Sequence, residues 1–123
     1  MQACHKVRGQ VYNQIYAMKT FSEILSSLDN ADHVQCIALF NSDGSEAGLI
    51  ENKPGSQGSI KVYHHLLQKW GSINIEAARE GLEIYAEHTA DAQSNFGKHP
   101  NIDRLLNVVA SGNPLKATVS KNC

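Results

Sequence analysis

The sequence predicts an α+β fold: a small three-stranded antiparallel sheet, made of a hairpin plus a C-terminal strand, packed against three to four helices. Three observations lead there. Two short apolar runs flank Asp43-Gly44, longer stretches place apolar residues at helical spacing, and the chain ends on the alternating run LKATVS. Residues 18–123 read as one such domain. Residues 1–17 read as an N-terminal extension, non-native or loosely docked, because MKTFSEILSSL that follows looks like a natural start.

Phe21, Ile24, Leu25 and Leu28 follow the i, i+3, i+4, i+7 pattern of an amphipathic helix, which Asp29 and Asn30 end. HVQCIALF is rich in β-branched and aromatic residues and reads as a buried strand. NSDGS turns the chain and EAGLIE returns, so 33–51 is expected to be a β-hairpin. Pro54 and two glycines make 52–59 a loop. Ser59 is the expected N-cap of IKVYHHLLQKW, with Gly71 as its stop. Asn74 caps a single long helix, IEAAREGLEIYAEHTADAQ, whose stripe runs through Ala78, Leu82, Tyr85 and Thr89. Gly81 inside it costs about 1 kcal/mol against alanine unless packing needs the space. Pro100 suits the first turn of the next helix, where its missing N–H is no loss, and Ile102, Leu105, Leu106 and Val109 form the stripe. SGNP ends that helix, and LKATVS is the last strand.

Composition narrows the function classes. Of the 123 residues, 41% are hydrophobic and 19% charged, which is globular rather than disordered. Net charge is -1, with no basic excess for a nucleic-acid groove and no polybasic stretch for an anionic membrane. No run approaches the ~20 apolar residues that span a bilayer. The three cysteines, Cys4, Cys36 and Cys123, are too few and too widely spaced for a disulfide framework or a zinc ribbon. Cys36 is expected to be a small buried hydrophobe, and reduced thiols imply a cytoplasmic location.

Two polar clusters are candidates for function. The first is the loop Lys53, Gly55, Ser56, Gln57, Gly58, Ser59 ahead of a helix start. Glycines let backbone N–H groups approach an anion, and a lysine supplies charge. It matches neither the P-loop nor the dinucleotide fingerprint, and a plain strand-to-helix turn is the favoured account of these residues. The second is the histidine set. His88 and Asp91 share a helix face at i, i+3, and His99 and Asp103 span the next helix start at i, i+4. Such His–carboxylate pairs suit acid–base catalysis or, if they converge, a divalent metal. No HxxxH, HExxH or CxxC motif is present, so no metal ligands are assigned, and surface and capping histidines are the alternative. Tyr63, Trp70 and Tyr85 at helical spacing read as core. No serine or cysteine stands out as a nucleophile.

The segments ENKPGSQGS and YAEHTADAQSNFGKHPNIDRLL carry a resemblance. Over roughly residues 20 to 112 the chain resembles a family of small uncharacterised bacterial proteins, domain of unknown function twenty-three twenty-two. The family pattern has proline where this chain has Phe96, which implies a slightly less rigid loop here. The resemblance implies a stand-alone bacterial domain and brings no activity, cofactor or catalytic residue. Three readings stay open. The first is a binding domain for an anionic small molecule or a protein partner through the loops at 53–59 and 95–101, with Lys53, Gly55, Gly58, Ser59, Lys98 and Asn101 as contacts. The second is an acid–base or metal-assisted enzyme using His88, Asp91, His99 and Asp103, its cofactor unknown. The third is a ligand-free homodimer built on apolar helix faces. Convergence of His88, Asp91, His99 and Asp103 in one concavity would favour the second, and side chains pointing apart into solvent would count against it.

Overall fold

The computed structural model describes residues 19–122; the extension expected over 1–17 falls outside these. Helix α1 (Phe21–Ser26) starts on a capping box. The Thr20 hydroxyl accepts the Glu23 N–H, and the Glu23 carboxylate accepts the Thr20 N–H. Strands β1 (Cys36–Phe40) and β2 (Glu46–Glu51) form the expected hairpin, with Ile37 opposite Ile50 and a bulge between Leu39 and Phe40. Strand β3 (Lys116–Ser120) pairs antiparallel with the other edge of β1, giving the order β2-β1-β3. The fold is therefore α+β. One sheet face turns Ile37, Leu39 and Ile50 inward, where they are buried under helix α2 (Gln57–Trp70).

Helix α2 begins two residues before the expected cap at Ser59. The hydroxyl of Ser59 is already used across the molecule, 2.7 Å from the Tyr85 hydroxyl. Ser56 takes the N-cap position and its own hydroxyl donates back to the Glu51 carbonyl, closing the loop from β2. Gly71 stops the helix at φ 82° as expected.

The long helix expected over 75–93 is two helices, α3 (Ile75–Ile84) and α4 (Glu87–Ser94), so the described residues hold five helices rather than three to four. The break is at Ala86, which sits at φ 51°. In an unbroken helix the Leu82 carbonyl would accept the Ala86 N–H. Here that N–H turns to Glu83, and the Thr89 hydroxyl fills the Leu82 carbonyl at 2.5 Å. Helix α5 (Pro100–Ser111) follows and stops at Gly112.

Helix α3 packs on both α2 and α5, and Gly81 explains how. A Cβ there would lie 2.7 Å from Leu105 Cδ1 and 2.9 Å from Leu66 Cδ1. The helices meet where only glycine fits. Around this point Tyr63, Leu66, Ile84, Ile102 and Leu105 are all buried.

One expectation about cysteine is corrected: Cys36 is buried, but it is disulfide-bonded rather than a reduced thiol. The argument from reduced thiols to a cytoplasmic location loses its support with it. Among the described residues no helix is long and apolar enough to cross a membrane.

Candidate functional site

The loop between α4 and α5 is shaped by its own polar groups. Gly97 takes φ 95°, and its N–H donates to the Asp103 carboxylate at 2.9 Å. Asp103, in the first turn of α5, thus ties the loop down from below. The turn it fixes sets Lys98 and His99 at the helix start. Both reach back to α4: Asp91 Oδ2 lies 2.6 Å from His99 Nε2 and 3.0 Å from Lys98 Nζ, while Oδ1 accepts from Asn95 Nδ2 at 3.0 Å. The hydrogen bond from His99, then that from Lys98, holds the Asp91 carboxyl down at about 2. It is therefore an ionised acceptor at neutral pH, and the hydrogen between it and His99 belongs to Nε2. The other ring nitrogen, Nδ1, has no hydrogen-bond partner among the described residues.

His88 sits beside this pair, its ring centre 5.7 Å from that of His99. Its edge meets Phe21 at 5.2 Å. Phe21 stacks on Tyr85 at 5.2 Å between centroids, and its backbone N–H donates to Glu87 at 2.9 Å. Helix α1 is seated on the start of α4 by that bond. Gly58 leaves room for the Phe21 ring, which a Cβ would meet at 3.3 Å. On the α5 side, Arg104 donates to Asn101 Oδ1 at 2.9 Å and to the Tyr63 hydroxyl at 3.2 Å. Because arginine only donates, Asn101 must turn its oxygen to it, leaving the amide NH2 as a free donor. Burial pushes the Tyr63 hydroxyl up to about 12, so it stays protonated and donates to the Asn101 carbonyl at 2.6 Å.

These pieces enclose one groove of about 590 Å³. Its floor is Phe21, Leu25, Tyr85 and Ile102. One wall is the 55–59 stretch opening α2, and the other is His88 with 98–101 opening α5. The wall carries a lysine and two histidines and no carboxylate. Two helix N-termini, those of the 14-residue α2 and the 12-residue α5, open onto it.

The structure brings together the two loops whose meeting the sequence left open. Gly55, Gly58, Ser59, Lys98, Asn101, His88 and His99 all line the groove. Lys53 does not; its ammonium pairs with Glu51 at 3.0 Å, because Pro54 and Gly55 turn the chain after it. Asp91 stands behind His99 rather than in the groove. Asp103 serves the loop backbone, and its Oδ1 is buried without a partner. The pairing expected from helical spacing is rearranged: His99 takes Asp91, and the carboxylate near His88 among the described residues is Glu87, at 3.9 Å. The expected core residue Tyr85 is buried yet lines the groove floor, a role its helical spacing did not signal. Among the described residues no group of three or more His, Cys, Asp or Glu side chains is placed to hold a metal ion.

Comparison with known proteins adds one match. The model of a family described as an uncharacterised protein conserved in bacteria (DUF2322) covers residues 21–119. No curated protein and no solved structure matches the chain.

Proposed function

From a chain that belongs to this uncharacterised bacterial family, which brings no activity with it, we propose a binding protein for a small anionic molecule with an apolar body, held in the groove between α2 and α5. The observation that carries this reading is the lining: the Lys98 ammonium beside His88 and His99, with no carboxylate among them. Backbone N–H groups at the start of α2 and the amide of Asn101 are uncharged donors for the same anion. The apolar floor takes the rest of the ligand, and about 590 Å³ falls within the usual range for small-molecule sites. The concave shape favours a small molecule over a protein partner, which would meet a flatter surface. Lys98 is 61% exposed and its ion pair with Asp91 is weak in water, so the ammonium keeps donors for a ligand.

Inorganic phosphate is the simplest probe. At fixed ionic strength it should raise the melting temperature by roughly 4 °C per kcal/mol of binding. Lys98→Ala should remove most of that gain, and Lys53→Ala should leave it intact. Equal gains in the parent and in Lys98→Ala, or no gain in either, would count against the groove as an anion site.

A further inference from the structure

The groove contains more than a binding site needs. A histidine that only lends charge to an anion requires no carboxylate behind it. His99 has one, and the bond to Asp91 at 2.6 Å decides which nitrogen is protonated. With the hydrogen held on Nε2, the neutral ring carries its lone pair on Nδ1, which no group among the described residues occupies. The ring is 24% exposed, lines the groove, and stands beside Lys98 at the start of α5. This is the arrangement of an oriented nucleophile: an unengaged nitrogen on a ring that lines the site, backed by a fixed acceptor that stabilises the charge its reaction creates.

We propose that His99 accepts a phosphoryl group on Nδ1 from a small phosphoryl donor, such as an acyl phosphate, bound in the groove. The inference rests on the anion reading of that site. The Nδ1 lone pair forms the N–P bond as the P–O bond to the leaving group breaks, and an acyl phosphate departs as a carboxylate needing no proton. The ring is then substituted on Nδ1 and protonated on Nε2, so it is cationic, and Asp91 neutralises it across the existing hydrogen bond. Lys98 and the Asn101 amide stand where the phosphoryl oxygens gather charge. Asp91 is a positioning residue in this scheme. His88 shares the groove, but among the described residues its nearest carboxylate oxygen is 3.9 Å away and no hydrogen bond fixes its tautomer.

The histidines of the chain are controls for one another. Of the two groove histidines His88 is the more exposed, at 43% against 24%, and His33 is exposed outside the groove, so chemistry governed by access alone modifies both before His99. The full chain is incubated with phosphoramidate, and separately with acetyl phosphate, and the modified residue is located by mass spectrometry under alkaline conditions that preserve phosphohistidine. The expected result is one phosphoryl group per chain, on His99. Asp91→Asn should slow its appearance at least about tenfold, since an amide no longer enforces the productive tautomer. His33→Asn, at an exposed histidine outside the groove, should not slow it. Modification spread over the histidines in order of exposure overturns the proposal, as does no modification of His99. The phosphate titration is run on the same sample. Phosphate bound without phosphorylation of His99 sinks this inference alone, and neither event sinks the anion reading with it. Selective labelling of His99 without measurable phosphate binding keeps the nucleophile and removes the anion reading.

Discussion

Glu80 and Glu83 show how one residue's surroundings set a response of the whole protein. Glu80 is fully buried, and its carboxylate is met by His65 at 2.9 Å, Lys69 at 2.9 Å and the Trp70 indole at 3.1 Å. Glu83, one turn on, faces that negative charge with an oxygen that is buried and has no hydrogen-bond partner. Burial, then Glu80, pushes its carboxyl from 4.5 up to about 7. The folded protein therefore binds this proton more tightly than the unfolded chain does. The stability that results is complete below about 4.5 and is lost as pH rises through about 7. Glu83→Gln, uncharged at every pH, should flatten that dependence. Melting curves between pH 5 and 8 should show the parent losing more stability than the variant; parallel losses would show that Glu83 is not the group responsible. Asp91 works the other way. Its carboxyl, held down at about 2, contributes stability above its ordinary value of 3.8, and that contribution is lost as pH falls through about 2. The partner of His99 therefore stays ionised throughout the neutral range.

At the scale of elements, two residues of the 75–94 segment invert the ordinary helix rule. Alanine normally stabilises a helix over glycine by about 1 kcal/mol. At Gly81 an added methyl strikes Leu105 and Leu66, and overpacking of a tight core costs about 1–3 kcal/mol. At Ala86 the backbone at φ 51° and ψ −117° suits glycine alone, and such strain costs on the order of 1 kcal/mol. Gly81→Ala should therefore destabilise and Ala86→Gly should stabilise, each by roughly 1 kcal/mol, in urea unfolding. The reverse signs would mean that ordinary helix propensity rules both sites. Local signals made much of the fold legible. Asp43-Gly44 marked the hairpin, Gly71 and Gly112 ended their helices, and Pro100 opened α5. Each of those rules acts within a few residues. The break at Ala86 was hidden because Leu82, Tyr85 and Thr89 keep helical spacing across it, and what breaks the helix there is the Thr89 hydroxyl taking the Leu82 carbonyl. The pairing of His99 failed for the same reason: a spacing of four pointed to Asp103, while the loop's turn at Gly97 carried the ring back to Asp91.

For the whole molecule, the groove is a product of the helix layer and of no single motif. The 55–59 and 98–101 stretches lie far apart in sequence, and no spacing rule reports that they meet. They are brought together because α3 packs on both α2 and α5. Phe21 then covers the floor, seated by its bond to Glu87, and the Ser59–Tyr85 contact ties the start of α2 to the end of α3. A ligand spanning the groove touches both helix starts at once, so its effect should appear in two separated segments together. Saturating phosphate should slow amide hydrogen exchange at 57–59 and at Asn101, with the hairpin turn at 42–45, which lines no part of the groove, unchanged. The N–H groups of 57–59 and of Asn101 have no backbone acceptor among the described residues, so they exchange readily when free and register an anion directly, whereas those of Ile102 and Asp103 already donate to the His99 carbonyl. Slowing confined to one helix start would mean a local contact there, and the groove would no longer be needed to explain it. Slowing at both, in the same phosphate concentration range, requires that the packing of three helices has made one site out of two loops.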